Sequence, residues 1–307
     1  MQGARIIVHA AMFWLFIGQA IAEPLEDGLA AYQRADYATA LQLLRPMAKK
    51  GDATAQFSVG DMYRNGNGVT QDYVQAADWY RKAAEQGYLS AQYFLGAMYA
   101  LGYGVPQDYV QVVYWFRKAA MQGYSPAQND LGVMYRDGKG VPQDYAQAVK
   151  WFRNATEQGN VSAQYNLGVM YEDGKGVLQD YSQAAYWYRI AAGQGNALAQ
   201  TILGVMYEDG KGVPQDYAQA VIWYRNAAEQ EHAPAQDFLG LMYENGKGVP
   251  QDYVQAHMWF NLAAARQADG ELRKSAVAGR EAVAAKMTPE QLTEAQRLAR
   301  EWKPVGQ

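Results

Sequence analysis

The residue types that carry most enzymatic chemistry are sparse in this sequence. Among 307 residues there is no Cys and there are three His. Without Cys the chain has no disulfides, thiolate zinc sites, iron–sulfur clusters or cysteine nucleophiles. His232 and His257 have neither an HExxH context nor clustered carboxylates around them. We therefore predict that the chain is not an enzyme and has no catalytic residue, metal or cofactor.

Two loop motifs superficially resemble ligand-binding sites. Gly-Lys-Gly-Val segments, such as residues 174–177, are reminiscent of phosphate-binding loops. They lack the Walker spacing, and they follow a predicted helix rather than a strand. The pairs Asp173-Gly174 and Asp209-Gly210 lack the alternating carboxylates of a calcium loop. Both motifs are better explained by glycines that end helices.

Composition excludes further classes of protein. Half of the residues are apolar, which is incompatible with a disordered chain. The formal charge of −4 and the pI near 5.5 provide no basic footprint, so we expect no nucleic-acid partner. The 24 Tyr and 30 Gly are the compositional features that need an explanation.

The N-terminus has the pattern of a secretory signal peptide. Arg5 precedes an apolar run over residues 6–17, and Ala20-Ile21-Ala22 is a small-x-small cleavage site. The run is shorter than the ~20 apolar residues of a membrane span. We predict a signal peptide over residues 1–22, cleaved after Ala22, and a periplasmic or secreted mature protein without stable membrane insertion. An uncleaved N-terminal anchor is the alternative.

A period of 36 residues organises the rest of the chain. The dipeptide Ala-Gln recurs in exact register, starting at Ala55, Ala91, Ala127, Ala163, Ala199 and Ala235. Self-similarity at this period indicates a solenoid of stacked units. We predict an N-terminal capping helix pair over residues 23–52, six 36-residue repeats over residues 53–268, and C-terminal capping helices with a tail over residues 269–307.

Each repeat is predicted to form two helices around a glycine loop. In the third repeat, Ala127 and Leu131 begin one apolar face at helical spacing. Gly132 lies inside this helix, which indicates a close approach by a neighbouring helix. Gly138 ends the helix, and Asp144 is the predicted N-cap of the second one. The recurrent glycines and tyrosines are therefore architectural.

The repeated positions resemble a known family. Their pattern, A-x-x-x-L-G-x-x-Y-x-x-G-x-G-V-x-x-D-x-x-x-A-x-x-W-x-x-x-A-A-x-x-G, is similar to the Sel1-like repeat of the tetratricopeptide-like superfamily. In the fourth repeat it occurs as Ala163, Leu167, Gly168, Tyr171, Gly174, Gly176, Val177, Asp180, Ala184, Trp187, Ala191, Ala192 and Gly195. The resemblance implies an all-α, right-handed α/α superhelical solenoid that serves as a protein–protein interaction scaffold. It also implies roles of exported members in envelope assembly, signalling regulation or host contact.

An envelope hydrolase is the alternative function. Cysteine-rich relatives have been described as β-lactamases, so the resemblance leaves this activity open. This chain has no Ser-x-x-Lys motif, which supplies the nucleophile of serine β-lactamases, and it has none of the paired cysteines of those relatives.

Interaction is predicted to occur on a variable stripe of the first helices. Such helices usually line the concave face of a solenoid. The stripe contains the candidate groove residues Phe57, Asp61, Arg64, Tyr93, Ala97, Asn129, Arg136, Tyr165, Glu172, Glu208 and Glu244. Its C-terminal end is acidic, so we expect a protein or peptide partner with a basic segment. Neutral drift on a solvated face is the alternative interpretation.

The second repeat departs from the others at several positions. Leu101 replaces the usual Asn or Asp, and Tyr103 stands where four other repeats have Lys. Aromatic exposed patches often mark partner sites. We therefore predict an exposed apolar patch formed by Phe94, Leu101, Tyr103, Val113 and Tyr114. A neighbouring cap or loop that covers these residues is the alternative.

Overall fold

The computed structural model describes residues 24–266 and 270–304. Within these ranges every regular element is a helix. The predicted signal peptide, residues 1–22, lies outside the described residues. The chain divides into two compact units, one ending at Asp144 and the other beginning at Tyr145.

The first unit contains seven described helices. They are α1 (24–33), α2 (Tyr37–Lys49), α3 (Ala53–Asn65), α4 (Tyr73–Glu85), α5 (Leu89–Leu101), α6 (Tyr109–Met121) and α7 (Ser125–Asp137). Each helix from α2 to α6 packs against the helix that follows it in the chain. Buried Ala, Leu and Met residues fill the space between them, and Trp79 of α4 joins the cluster that α1, α2 and α3 form.

The second unit continues the same pattern and ends in two additional helices. Its elements are α8 (Tyr145–Thr156), α9 (Val161–Asp173), α10 (Tyr181–Gly193), α11 (Ala197–Asp209), α12 (Tyr217–Ala228), α13 (Ala233–Asn245), α14 (Tyr253–Arg266), α15 (Glu271–Ala284) and α16 (Pro289–Glu301). Both α15 and α16 pack against α14. The predicted all-α fold of repeated helix pairs is thus confirmed.

In five of the six repeats, the glycine inside the first helix permits an aromatic ring to lie against the backbone. A Cβ atom added to Gly204 would lie 2.5 Å from the ring of Tyr224 on the following helix. At Gly60 the corresponding ring is that of Tyr80, at 2.8 Å. The predicted close approach is confirmed, and its agent is an aromatic side chain of the second helix in the same repeat.

The two loop glycines have different tasks. The first, as at Gly210, ends a first helix in the left-handed conformation with φ of 68°. The second, as at Gly212, contacts the preceding repeat, because a Cβ there would lie 2.2 Å from the carbonyl oxygen of Tyr181. Asp216 then caps α12 by accepting from the backbone N–H groups of residues 218 and 219. The loop therefore sets both the helix ends and the contact between repeats.

In five of the six repeats, the glutamine of the Ala-Gln pair supports the backbone of the preceding helix. Gln200 is buried and donates from Nε2 to the carbonyl of Ala192 at 2.9 Å. Its Oε1 accepts from Gln230 at 2.7 Å, and the same pairs recur in other repeats. These bonds satisfy carbonyls at helix ends, which otherwise lack partners.

Both ends of the array carry helix caps. Asp36 accepts from the backbone N–H of Thr39 at the start of α2. At the other end, Thr288 and Gln291 form a reciprocal capping box in front of α16. No helix within the described ranges combines the length and the apolar character that crossing a membrane requires.

Candidate interaction site in the second repeat

Most of the predicted groove residues are half-buried side chains of the first helices. This holds for Phe57, Asp61, Arg64, Tyr93, Ala97, Arg136, Tyr165, Glu172, Glu208 and Glu244. Tyr93 donates its hydroxyl to Asp130 at 3.0 Å, and burial raises the pKa of that carboxyl group. The stripe is therefore a surface of tightly placed side chains rather than a row of freely solvated ones.

Asn129 is the exception, because it is buried and only 8% exposed. Its Nδ2 donates to Asp130 at 3.0 Å. Thr201 and Asp237, at the same repeat position, are also buried, and they contact His232 and Ser275 of the elements that follow. Short polar side chains at this position are thus covered by neighbouring structure, and the expectation that Asn129 faces a groove is wrong.

In the second unit the acidic residues of the stripe are paired within the chain. Glu172 accepts from the hydroxyl of Tyr188 at 2.7 Å, and Lys211 lies 3.7 Å from its carboxylate. Glu208 accepts from Tyr224 at 3.0 Å and pairs with Lys247 at 3.4 Å.

The last member of this row is Glu244, which pairs with Lys286 of the C-terminal segment at 2.9 Å. Each of the three carboxylates thus has a lysine beside it. The acidic end of the groove at Glu172, Glu208 and Glu244 stays a prediction, and a basic partner there would compete with these lysines. The sequence showed the acidic positions but not the lysines that the fold places next to them.

The tyrosines of this network are held as hydrogen-bond donors. Burial raises the pKa of Tyr188, and the nearby Glu172 carboxylate raises it further. Burial and Glu208 act in the same way on the pKa of Tyr224. Both hydroxyl groups therefore keep their protons and donate to the carboxylates over the whole physiological pH range.

The first unit has a different arrangement at the corresponding positions. The residues that align with Glu172 and Glu208 are Arg64, Ala100 and Arg136. Asp61 accepts from the hydroxyls of Tyr80, at 3.0 Å, and of Tyr32, and pairs with Arg64 at 2.6 Å. The only carboxylate of the stripe in the first two repeats is thus already bonded to three donors.

A pocket of about 340 Å³ lies between α3, α4 and α5. It is lined by Arg64, Asn65, Gln71, Tyr73, Phe94, Ala97, Met98, Leu101 and Tyr103. The ring of Tyr103 stacks on Tyr73 with 4.8 Å between centroids. The guanidinium group of Arg64 lies 4.5 Å from the centre of the Phe94 ring. The pocket therefore has an apolar, largely aromatic wall and a cationic rim.

Five predicted site residues converge in this pocket. Arg64 and Ala97 come from the predicted groove, and Phe94, Leu101 and Tyr103 come from the predicted patch. Leu101 is 61% exposed and Tyr103 is 46% exposed. Members of the predicted groove and of the predicted patch thus line the same pocket.

The remaining patch residues lie on α6 and do not line the pocket. Tyr114 is exposed and packs edge-on against Trp115, at 4.9 Å between centroids. Val113 is only 4% exposed, so its predicted exposure is wrong. Val149 and Val221 occupy the same repeat position and are also buried, which shows that this position faces the core.

The two histidines form no metal site. In the ranges 24–266 and 270–304, no group of three or more His, Cys, Asp or Glu residues is placed to hold a metal ion. His257 is 4% exposed, and burial lowers its pKa, with a further contribution from Arg280. His232 contacts the hydroxyl of Thr201 at 2.9 Å, and burial lowers its pKa as well.

Comparison with known proteins supports the repeat assignment. The model of the Sel1 repeat matches residues 10–52, 53–88, 89–124, 125–160, 161–196, 197–232 and 233–267. None of the curated proteins matches the chain.

Two solved structures are similar over most of the chain. One is a protective antigen of uropathogenic Escherichia coli that displays an SLR fold, with 40% identity and a TM-score of 0.73. The match covers 84% of this chain and 59% of the antigen, so the chain spans well under two thirds of that protein. The other is a Sel1 repeat protein from Oxalobacter formigenes, with 30% identity, a TM-score of 0.72, and coverage of 81% of this chain and 98% of that protein.

Proposed function

This chain belongs to the Sel1 repeat family, and from that premise we propose that it is an exported scaffold whose second repeat binds a protein or peptide partner. Sel1 repeats generally act as protein-interaction scaffolds, and the fold is typically non-catalytic. The primary contact is the pocket at Leu101 and Tyr103, together with the first-helix surface around it.

The observation that carries this proposal is the aromatic pocket itself. Four other repeats have Lys at the position of Tyr103, whereas here an exposed tyrosine stacks on Tyr73 and walls a cavity. Large exposed apolar side chains around a pocket, beside an arginine, match the composition of binding hot spots. A side chain from a partner would bury Leu101 and Tyr103 without any rearrangement of the helices.

Site-specific photocrosslinking in the native host tests this proposal. A photoreactive amino acid replaces Leu101, and a matched control replaces Leu198, which is also exposed but lies on α11 outside the pocket. We expect a discrete adduct from position 101 that excess wild-type protein competes away and the Leu101→Ser/Tyr103→Ser variant does not. Equal adducts from both positions, or equal competition by both proteins, would contradict the proposal.

Export is part of the same proposal. It is supported by the N-terminal sequence pattern, and the description of the similar antigen as protective agrees with an exposed location. The mature protein should begin at Glu23. Fractionation of expressing cells, followed by mass measurement of the purified protein, tests this, and a chain that retains residues 1–22 would contradict it.

A partner with a basic segment is the alternative occupant, and the second unit is where it would bind. Such a segment would have to displace Lys211, Lys247 and Lys286 from their carboxylates. Charge reversal of Glu172, Glu208 and Glu244 together would then weaken binding at low salt. Unchanged affinity of the crosslinked partner would exclude this mode.

We also propose that the protein does not hydrolyse β-lactams. Neither a Ser-x-x-Lys motif nor any Cys is present in the sequence. A chromogenic β-lactam added to the purified mature protein should give no turnover above buffer. Clear turnover would favour the envelope hydrolase instead.

A further inference from the structure

Lysines of the glycine loops in the second unit reach back to the preceding repeat in a fixed register. Lys247 pairs with Glu208, which precedes it by 39 residues. Lys211 pairs with Glu172 at the same separation. Each of these ammonium groups also lies over a tyrosine ring, at 4.1 Å for Lys211 and 5.2 Å for Lys247. A loop lysine thus has a defined place, between a ring and a carboxylate.

Lys139 of the first unit has the ring but not the carboxylate. Its ammonium group lies 6.0 Å from the centre of the Tyr109 ring. The residue in the register of Glu172 and Glu208 is Ala100. No Asp or Glu within the described chain lies within ion-pair distance of Lys139, which is exposed. The loop that positions it is the same, because Gly140 packs on the carbonyl of Tyr109 as Gly212 packs on that of Tyr181.

The loop of the preceding repeat carries Tyr103 at the position of this lysine, and Tyr103 lines the pocket. Tyr103 is the loop residue that would pair with Arg64, and a lysine there would meet a like charge. Tyr103 instead stacks on Tyr73, and Arg64 turns toward Asp61 and Phe94. The Nε of Arg64 is buried without a hydrogen-bond partner among the described residues. The surface around the pocket therefore combines an apolar cavity with an N–H donor of Arg64 that has no acceptor among the described residues.

We propose that the partner presents an acidic side chain to Lys139, in the place that Glu172 and Glu208 occupy in the second unit, while an adjacent apolar or aromatic side chain enters the pocket at Leu101 and Tyr103. This inference rests on the proposed function and specifies the chemistry of its partner. The small side chain of Ala100 leaves the position beside Lys139 without a carboxylate of the chain's own.

Charge complementarity separates this occupant from a basic one. A basic segment at the same face would meet Arg64 and Lys139, and like charges in contact oppose binding. The one nearby carboxylate of the stripe, Asp61, already accepts from Tyr32, Tyr80 and Arg64. An Asp or Glu of the partner, in contrast, gains a cation that no carboxylate of the described residues neutralises.

A peptide array tests the inference with the purified mature protein. Each peptide contains one Leu or Phe followed, at increasing spacing, by Glu, Gln or Lys in otherwise identical Gly-Ser sequence. We expect the Glu peptides to bind about fivefold more tightly than the Gln peptides at low salt, because a partly exposed ion pair contributes little more. The Lys peptides should bind more weakly than the Gln peptides.

Two variants test whether the preference for Glu peptides depends on Lys139. Ala100→Glu installs a carboxylate that pairs with Lys139 within the chain. The Glu and Gln peptides should then bind about equally. Lys139→Gln should have the same effect by removing the cation. The matched control Ser162→Glu adds the same charge at an exposed position of α9 and should leave the preference intact.

The outcomes distinguish the inference from the proposed function. Equal binding of Glu and Gln peptides, with loss of both in Leu101→Ser/Tyr103→Ser, would overturn the acidic partner and leave the pocket as the site. A preference for Lys peptides would also overturn it. If no apolar peptide binds and the pocket variant behaves as wild type in the crosslinking experiment, the proposed function itself fails.

Discussion

The first and second units use one framework to present two different surfaces. In the second unit, Glu172 and Glu208 are held between tyrosine hydroxyls and lysines of the next loop. In the first unit, the same positions carry Arg64 and Ala100, and the loop residue Tyr103 walls a pocket. In the second unit this row is closed by internal pairing of its carboxylates, whereas in the first unit an exposed leucine and tyrosine line a pocket.

This difference shows that the charges along one helix do not determine the net charge of the surface that the helix forms. The row of glutamates in the second unit looks acidic when the first helices are considered alone. In the fold, each glutamate is compensated by a lysine that comes from a different part of the period. The proposed binding position is therefore where the internal pairing stops, rather than where the residues are most charged.

The largest predicted effect tests whether the framework is truly shared. Trp115 in the first unit and Trp259 in the second are equivalent and are both 6% exposed. Substitution of either by Ala should lower the free energy of unfolding by about 3–5 kcal/mol, because a large buried side chain is replaced by a cavity. Urea unfolding followed by circular dichroism measures the loss.

Hydrogen exchange should accompany that measurement, since repeat arrays can unfold in parts. The loss of protection is expected around the substituted repeat in each variant. A large cost for Trp259→Ala and a negligible one for Trp115→Ala would show that the first unit is packed differently, and the comparison between the surfaces would no longer hold.

The next prediction separates the two interactions of Glu208, its hydrogen bond from Tyr224 and its ion pair with Lys247. Glu208→Ala removes the acceptor of the buried Tyr224 hydroxyl, which should cost about 1–3 kcal/mol. Glu208→Gln keeps an acceptor and removes only the ion pair with Lys247, so it should cost about 0.2–1 kcal/mol. Thermal melts at low and high salt provide the measurement.

The control is the salt dependence of the two variants. Added salt should narrow the gap between wild type and Glu208→Gln, because it screens an exposed ion pair. It should leave most of the loss in Glu208→Ala. Equal stability of the two variants would mean that the tyrosine contributes nothing, and that the surface is closed by charge alone.

The sequence predicted the framework well because its determinants are local and repeated. Gly210 and Asp216 mark helix ends through their own backbone preferences, and six copies show the same marks. The helical Gly204 indicated a close neighbour, although only the structure identified the ring of Tyr224 as that neighbour.

The site was harder to predict because its contacts join different positions of adjacent repeats. Lys247 and Glu208 are 39 residues apart, and nothing local relates them. The sequence does contain a partial indication, since an offset of 39 residues relates Glu to Lys twice, although it also relates Arg64 to Tyr103, Ala100 to Lys139 and Arg136 to Lys175. Val113 was also predictable as a core residue, because five of the six repeats have Ala or Val at its position.

A smaller effect on stability is expected in the sixth repeat, which has a histidine instead of Ala or Val at the core position of Val113. His257 stands where the other repeats have Ala or Val, it is 4% exposed, and its Nδ1 has no hydrogen-bond partner within the described residues. His257→Val should stabilise the protein by about 1 kcal/mol at neutral pH, since a buried unpaired polar group is removed.

The pH dependence gives the sign of this effect. Burial lowers the pKa of His257 in the folded state below its usual 6.5, so the unfolded chain binds the proton more readily. Uptake of this proton by the unfolded chain therefore lowers the stability of the fold as the pH falls below 6.5, and this additional loss is absent above that value. Melts across this range should be flatter for His257→Val than for wild type. The remaining slope should include His232, whose pKa is also lowered by burial, and unchanged slopes would contradict the assignment to His257.

The last predicted change concerns the residue that makes the two units differ. Tyr103→Lys restores the usual loop residue, but the new cation would face Arg64 rather than a glutamate, and the stacking on Tyr73 would be lost. We expect a loss of about 0.5–1.5 kcal/mol, which is the contribution of an aromatic pair. The double variant Arg64→Glu/Tyr103→Lys supplies the missing carboxylate and should recover part of this loss in thermal melts. If Tyr103→Lys alone is as stable as wild type, the tyrosine is not required by its arginine neighbour. Its presence in this repeat would then depend on what binds to it, which would sharpen the contrast between a closed surface and an open one.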